Sequence, residues 1–150
     1  MLSKILDENQ RKAIVWDVER GAPNQIMEQP WQSCSCIGGW HYTTSVYENN
    51  WYKSASDVAK LLIDIVSKNG NLLLSVPLRA DGTFDEKEEK ILNEFGEWMN
   101  INKEAIYNTR PWEVFGEGPI AEADIKINAQ GFNEGAYSKS YSTRDPFYPN

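Results

Sequence analysis

Residues 16–42 combine the side chains that sugar chemistry uses. This stretch, WDVERGAPNQIMEQPWQSCSCIGGWHY, holds four aromatic rings, the single His of the chain, both Cys, three carboxylates and an Arg. A glycosidase needs two carboxyl groups, and aromatic rings give flat platforms for sugars. The same residue types would also suit a carbohydrate-binding loop or a purely structural one, so the elements that position them matter.

A short apolar run leads into this stretch. KAIVWDV, residues 12–18, contains β-branched residues and predicts a buried strand that ends at the Gly-Ala-Pro breaker of residues 21–23. Residues 19–52 show little regular pattern and predict one long loop. A loop of that length is usually functional or disordered, and its aromatic content argues against disorder. Glu19 and Arg20 are therefore expected at the carboxyl end of the strand, with the loop above them.

A helix and a second strand follow the predicted loop. SASDVAKLLIDIVSKNG begins with a capping box of Ser54 and Asp57 and ends at Asn69-Gly70, which predicts a helix. NLLLSVP predicts a second buried strand, closed by Pro77.

A second amphipathic helix is predicted after residue 82. A capping box of Thr83 and Glu86 marks its start, and its apolar face comprises Ile91, Leu92, Phe95, Trp98 and Met99. The acidic cluster at its beginning is interpreted as a solvated face that favours the helix dipole; its members are Asp85, Glu86, Glu88 and Glu89. Three tryptophans are interpreted as packing residues, namely Trp31, Trp98 and Trp112.

The order strand, helix, strand, helix predicts parallel strands with crossover helices, and hence an α/β fold. The strands are too few to close a barrel. In α/β architectures, chemistry lies beyond the carboxyl ends of the strands. Residues 19–20 and 77–79 are therefore expected at the functional face.

Composition excludes several classes of partner. The net charge of −7, from 15 basic and 22 acidic residues, argues against binding to nucleic acid or to an anionic membrane. No apolar run approaches a membrane span, and the first ten residues do not predict a signal peptide. Cys34 and Cys36 are too close for an easy disulfide and have no second Cys pair with which to form a zinc site. They are interpreted as buried thiols, and no metal or cofactor is expected.

Residues 57–119 resemble the C-terminal part of the catalytic domain of glycoside hydrolase family 29, the α-L-fucosidases. The resemblance rests on the motifs SKNGNLLL, DGT and NKEAIYNTRPW, and on the upstream segment PWQSCSCIGGWHY. It implies that residues 1–119 are a C-terminal portion of a (β/α)₈-like barrel. Residues 120–150 would be an irregular tail leading towards a C-terminal β-sandwich. The family's nucleophilic Asp lies in a Trp-rich motif on an earlier strand, which this sequence does not show, so the chain is expected to be a fragment that is inactive alone.

The resemblance also implies an activity. It points to removal of terminal α-L-fucose from oligosaccharides or glycoprotein glycans, with retention of configuration. A carboxylate nucleophile attacks the anomeric carbon, and a second carboxyl group acts first as acid and then as base.

The acid/base of the family has no direct counterpart here. Many members have Trp-Glu where this sequence has Trp31-Gln32, and Gln cannot transfer a proton. The role is expected to pass to another carboxyl group of the same region, Glu19 first and Glu28 second. The alternative for Glu19 is an ion pair that holds the loop.

Four further residues are candidates for substrate binding. Arg20 precedes Gln32 by a spacing that resembles the family's fucose-binding Arg and its acid/base, so both are expected at the sugar; a structural salt bridge is the alternative for Arg20. Trp40 could stack on the sugar or fill the core, and His41 could bind the sugar or be a structural imidazole. Many family members have Asn-Val-Gly-Pro where this sequence has Ser75-Val-Pro77-Leu. In this respect the sequence resembles a subgroup of the family that also carries Pro-Trp-Gln. Two functions stay open: a retaining exo-α-L-fucosidase, or a non-catalytic carbohydrate-binding remnant of one.

Overall fold

Short strands alternate with helices along the chain. The structure, a computed structural model, describes residues 7–118, 127 and 132–133. In chain order its elements are α1 (Glu8–Arg11), β1 (Trp16–Glu19), β2 (Ala22–Pro23), β3 (Trp31–Cys36), α2 (Thr44–Glu48), α3 (Ala55–Ser67), β4 (Gly70–Ser75), α4 (Glu86–Asn102), a 3₁₀ helix (Lys103–Ala105) and β5 (Phe132–Asn133).

The main sheet has three parallel strands in the order β1–β3–β4. Trp31, the first residue of β3, lies opposite Trp16 of β1 and Gly70 of β4. Helix α3 connects β3 to β4, so the prediction of parallel strands with a crossover helix, and of an α/β fold, is confirmed. A separate two-stranded sheet pairs β2 with β5 in antiparallel orientation. The rest of the predicted tail lies outside the described residues.

One face of the main sheet packs against α3. The core consists of Val18, Ala22, Trp31, Leu61 and Ile65. Trp31 is 1% exposed, and its indole N–H donates to the carbonyl of Lys68 at 2.9 Å, so its one polar atom is satisfied. A Cβ atom at Gly70 would lie 2.6 Å from that indole ring, which explains why glycine begins β4.

The prediction of one loop over residues 19–52 is wrong, because it contains β2, β3 and α2. The sequence of β3, WQSCSC, lacks the apolar run of a buried strand, yet Ser33 and Ser35 are fully buried. Ser33 can be buried because its hydroxyl donates to the carbonyl of Gly21 at 2.9 Å. That partner lies 12 residues away and is invisible to a local pattern.

Strand β1 is shorter than predicted. It spans Trp16–Glu19, whereas residues 12–14 form a turn and a bend. Ile14 and Val15 are exposed there despite their apolar side chains. The strand extends one residue further than expected at its other end, so Glu19 belongs to the sheet.

The predictions of helix α3 and of strand β4 are confirmed, but the expected burial of β4 is wrong, because Gly70 is its only buried residue and Leu73 is 54% exposed. The capping box of Ser54 and Asp57 is present, with the Asp57 N–H donating to the Ser54 hydroxyl at 3.1 Å. Strand β4 covers most of NLLLSVP and begins one residue earlier.

The predicted start of α4 is wrong by two residues. Its capping box consists of Asp85 and Glu88 rather than Thr83 and Glu86. Asp85 and Glu88 are both 0% exposed, so their interpretation as part of a solvated face is also wrong, whereas Glu86 and Glu89 are exposed as expected. The buried pair reflects a contact with residues 42–52, which is described below.

The three tryptophans interpreted as packing residues differ in environment. Trp31 is in the core, and Trp98 stacks on Phe95 with ring centroids 6.1 Å apart. Trp112 is 76% exposed, so its interpretation as a packing residue is wrong within the described part of the chain.

Candidate active site

The carboxyl ends of the three parallel strands meet at one edge of the main sheet, which we call the carboxyl edge. The connection from β3 to α3, residues 37–54, begins and ends there and is called the β3–α3 loop. The N–H of Ile37 donates to the carbonyl of Ser75 at 3.1 Å, and the N–H of Lys53 donates to the carbonyl of Ile37 at 2.7 Å. The loop is thus closed at its base and carries Trp40 and His41 above the end of β1.

Arg20 is held in an unusual backbone conformation at this edge. Its φ angle is +50°, in the left-handed region that non-glycine residues rarely adopt. The Arg20 N–H donates to the carbonyl of Cys34 at 2.9 Å, and the guanidinium carbon lies 4.7 Å from the ring centroid of Trp40. This distance is that of a cation–π contact. The structure therefore brings together Arg20 and Trp40, two of the residues predicted from the sequence.

One polar atom of Arg20 has no partner within the described residues. The Nε–H group is buried and donates to no acceptor within the described residues. Because a guanidinium keeps its charge at any accessible pH, a buried unpaired N–H of this group is unfavourable until an acceptor reaches it. Left-handed backbone and an unpaired donor in one residue are typical of a binding position.

Glu19 is the last residue of β1 and is half-buried beside Arg20. It lies opposite Cys34 in the neighbouring strand. Within residues 7–118, Glu19 takes part in no ion pair, so the alternative interpretation of a loop-holding salt bridge finds no partner in the described structure. Glu19 thus lies at the carboxyl edge, and its carboxyl group is not paired with any cation of residues 7–118.

Gln32 lies on the sheet face opposite the core. Its side-chain amide donates to one carboxylate oxygen of Asp17 at 2.9 Å, and the Cys34 thiol donates to the other at 3.5 Å. Burial and the nearby Asp17 carboxylate raise the pKa of Cys34 to about 11, so the thiol stays protonated. As the second residue of β3, Gln32 lies farther from the carboxyl edge than Glu19 does. Asp17 was not among the residues predicted from the sequence, although the alternation in WDVE places it on the same strand face as Glu19.

Glu28 lies at the other end of the strands. It is exposed and precedes β3, and the side-chain amide of Asn69 donates to the carbonyls of Met27 at 2.9 Å and of Glu28 at 3.4 Å. Asn69 directly precedes β4, so these residues mark the amino edge of the main sheet. The structure does not bring Glu28 together with Glu19. His41 is exposed on the β3–α3 loop, next to Trp40.

The far side of the β3–α3 loop is attached to the start of α4 by tyrosines. The Tyr52 hydroxyl donates to Asp85 Oδ2 at 2.5 Å, and the Tyr47 hydroxyl donates to Glu86. Burial and the Asp85 carboxylate raise the pKa of Tyr52 above its ordinary value, so this hydroxyl remains a donor. The hydrogen bond from Tyr47 lowers the pKa of Glu86 to about 2.

Arg79 adds a second attachment between the same two segments. It pairs with Glu86 at 2.9 Å, and its guanidinium carbon lies 5.8 Å from the ring centroids of both Tyr42 and Tyr47. The β3–α3 loop is therefore fixed at its base, at Trp40 and along its outer side.

In the described part of the chain, no three His, Cys, Asp or Glu side chains gather closely enough to hold a metal ion. None of the helices described there has the length and apolarity needed to cross a membrane.

Comparison with known proteins identifies relatives over the same region. The family model described as Alpha-L-fucosidase matches residues 3–104. The plasma alpha-L-fucosidase of Homo sapiens is 31% identical over 96 residues, which is 63% of this chain and 20% of that protein. The alpha-L-fucosidase of Dictyostelium discoideum is 34% identical over 93 residues, 61% of this chain and 20% of that protein. The chain thus spans about a fifth of the length of these curated relatives.

Solved structures of bacterial fucosidases share the fold. The Thermotoga maritima alpha-fucosidase in complex with fucose superposes with a TM-score of 0.54 at 33% identity, covering 59% of this chain and 20% of that one. Alpha-L-fucosidase isoenzyme 1 from Paenibacillus thiaminolyticus gives a TM-score of 0.60 at 30% identity, covering 65% of this chain and 24% of that one. Since the family model matches more than half of its residues, the chain belongs to the alpha-L-fucosidase family.

Proposed function

We propose that this protein is a retaining exo-α-L-fucosidase, acting on terminal α-L-fucose of oligosaccharides or glycoprotein glycans. Glu19, Arg20 and Trp40 are this chain's contribution to the active site. The observation that carries the proposal is the environment of Arg20. Its guanidinium lies against Trp40 at the carboxyl edge, and its buried Nε has no partner among the described residues. Membership of the family and the solved fucosidase with bound fucose support it.

We infer that the three parallel strands belong to a (β/α)₈-like barrel. The sheet face opposite the core carries polar side chains, among them Gln32 and Cys34, which both donate to the carboxylate of Asp17. In such barrels the catalytic residues project from the carboxyl ends of the strands, which is where Glu19 lies.

Glu19 is the proposed acid/base. Its carboxyl proton passes to the glycosidic oxygen as the bond from that oxygen to the anomeric carbon breaks. In the second half-reaction its carboxylate removes a proton from the water that displaces the nucleophile. Glu28 is not assigned this role, because it lies at the amino edge. The nucleophile is not assigned to any residue of this chain, so hydrolysis by these 150 residues alone is not expected.

Arg20 is the proposed sugar-binding cation. Its planar group donates several hydrogen bonds in fixed directions, which suits a ring oxygen and vicinal hydroxyls. One face of Trp40 lies against this guanidinium, and the sugar is assigned to the opposite face of the indole in this proposal.

The second candidate is a carbohydrate-binding protein without catalysis. Gln32 favours it, because an amide stands where many members have their acid/base and is already bonded to Asp17. This candidate predicts fucose binding without turnover.

The test compares two carboxyl groups in the protein expressed from its complete reading frame. Glu19→Gln should lower kcat on a natural fucosyl disaccharide by about 100-fold or more, since general acid–base catalysis contributes about that much. An aryl fucoside with a good leaving group needs less acid assistance and should lose less. The matched control Glu28→Gln should leave both rates unchanged.

The opposite result would reject the assignment. Full activity of Glu19→Gln, or loss of activity in Glu28→Gln, removes Glu19 from the acid/base role. Fucose binding with no hydrolysis by the wild-type protein would favour the carbohydrate-binding candidate.

A further inference from the structure

Tyr52 packs directly on the backbone that leads to Trp40. A Cβ atom added at Gly38 would lie 3.0 Å from Cδ1 and 3.1 Å from Cε1 of Tyr52. The phenol ring therefore occupies the space where other residues carry a side chain. Gly38 precedes Trp40 by two residues, so the position of the Tyr52 ring limits where the loop can place Trp40.

The other end of Tyr52 is anchored at a rigid point. Its hydroxyl donates to Asp85 Oδ2 at 2.5 Å, and Asp85 is fully buried. Asp85 Oδ1 accepts the N–H groups of Lys87 at 2.9 Å and Glu88 at 2.8 Å, as the N-cap of α4. Asp85 cannot move without uncapping α4, a helix of 17 residues. The hydroxyl of Tyr52 is therefore anchored to the start of that helix.

The chain of contacts continues to the proposed sugar-binding residue. Trp40 lies 4.7 Å from the guanidinium of Arg20, whose backbone is in the left-handed region. A long side chain with four rotatable bonds loses entropy when it is fixed, and a ring against one face of its guanidinium fixes it before the ligand arrives.

We propose that Tyr52 is a positioning residue for substrate, because its contacts with Asp85 and Gly38 fix Trp40 and thereby hold Arg20 in its sugar-binding orientation. This inference rests on the proposed function. Tyr52 does not touch the sugar in this account; it acts through Trp40 and Arg20.

The test removes one hydroxyl. In the protein expressed from its complete reading frame, Tyr52→Phe should raise KM for a fucoside by about fivefold to tenfold, as expected for a loss of binding preorganisation. Its kcat should stay within about twofold, because Glu19 is not displaced. The matched control is Tyr47→Phe, which also loses a tyrosine–carboxylate bond between the β3–α3 loop and α4, but whose ring is not packed on Gly38 in the described structure. The control should leave KM unchanged.

A double-mutant cycle separates positioning from general destabilisation. If Tyr52 acts through Arg20, Tyr52→Phe should have no further effect on kcat/KM in an Arg20→Ala background. A KM unchanged by Tyr52→Phe, an equal effect of Tyr47→Phe, or an undiminished effect in the Arg20→Ala background would each overturn the inference.

Hydrogen exchange keeps this test independent of the proposed function. Tyr52→Phe should accelerate amide exchange at Gly39 and Trp40 while the α3 amides keep their protection. If the wild-type protein neither hydrolyses fucosides nor binds fucose, the proposed function fails, and exchange alone decides the positioning link. Unchanged exchange at Gly39 and Trp40 would then overturn it.

Discussion

Arg20 and Glu88 each bury a polar atom that has no hydrogen-bond partner among the described residues, but the two groups differ in how they can respond. A carboxyl group can take up a proton and become neutral, and burial raises the pKa of Glu88 in that direction. A guanidinium cannot lose its charge. Protonation can therefore remove the buried charge of Glu88, whereas the guanidinium of Arg20 keeps its charge and its Nε–H has no acceptor among the described residues.

The local structures around Glu88 and Arg20 also differ. Glu88 lies in the first turn of a regular helix, and its other oxygen accepts the Asp85 N–H at 3.3 Å. Arg20 lies in left-handed backbone between a strand and a turn, with its guanidinium against Trp40. The start of α4 is capped and regular, whereas Arg20 has left-handed backbone and a donor without a partner among the described residues. This difference agrees with the proposal that Arg20 binds the sugar and with a structural role for the start of α4.

The largest effect is expected at Arg20. Arg20→Ala should weaken L-fucose binding by about 100-fold, because hydrogen bonds to charged groups contribute about 1.5–3 kcal/mol and more than one would be lost. The matched control is Arg110→Ala, an exposed arginine that donates to the neighbouring carbonyl of Thr109 at 2.8 Å. Isothermal titration calorimetry should show no change for the control. Equal losses of fucose affinity in the two variants would show that the position of Arg20 at the carboxyl edge gives it no special role in binding.

Asp85 should dominate stability instead. Asp85→Ala removes the N-cap of α4 and leaves the Tyr52 hydroxyl without its acceptor, which should lower the free energy of unfolding by about 2–3 kcal/mol. Urea unfolding measures this directly. Asp81→Ala, at an exposed turn where Asp81 accepts the Thr83 N–H at 3.0 Å, should cost less than about 1 kcal/mol. A similar loss of unfolding free energy in both variants would mean that the burial of Asp85 does not increase its contribution to stability.

Glu88→Gln should stabilise the protein at neutral pH. Between the ordinary pKa of 4.5 and its raised value in the folded state, the unfolded Glu88 is ionised while the folded one keeps its proton. Stability contributed by this residue therefore falls as pH rises through that range. Gln keeps the capping box and cannot ionise, so Glu88→Gln should raise stability at pH 7 and flatten the decline in Tm above pH 4.5.

The neighbouring acid provides the control for Glu88. Glu89 is exposed in the same first turn, so Glu89→Gln should change Tm little and should not alter its pH dependence. Destabilisation by Glu88→Gln at pH 7 would show that its carboxylate is ionised and needed there.

The smallest effect concerns the electrostatics beside Glu19. The pKa of Cys34, about 11, is raised by burial first, then by the Asp17 carboxylate, and less by that of Glu19. Asp17→Asn should therefore lower the pKa of Cys34 more than Glu19→Gln does. The pH dependence of Cys34 alkylation, followed by mass spectrometry to separate it from Cys36, measures both shifts. A larger response to Glu19→Gln would mean that Glu19 lies closer to Cys34 than the structure places it.

Local signals in the sequence were sufficient for part of the fold. Helix α3 and strand β4 were predictable because a capping box, an apolar stripe and an apolar run lie within a few residues of each other. Strand β3 was not, because its buried Ser33 depends on a distant carbonyl. The predicted capping box of Thr83 and Glu86 does not form, because the N-cap of α4 is Asp85, which also binds Tyr52, 33 residues away.

The candidate site was predictable to a similar extent. The order of strands and helices placed Glu19 and Arg20 at the carboxyl edge, and the structure has them there. The left-handed backbone of Arg20 and its stacking on Trp40 could not be read from residue types, because both depend on how the β3–α3 loop folds back. The location of Glu28 at the amino edge depended on recognising β3, which the sequence pattern conceals.

The central claim is that the sugar binds at the carboxyl edge, and hydrogen exchange with and without saturating L-fucose tests it most directly. The account predicts added protection at Arg20 and Gly21 and at Gly38 to Trp40, with no change at Glu28 or Asn69. Protection at Glu28 and Asn69 without protection at Arg20 would contradict it.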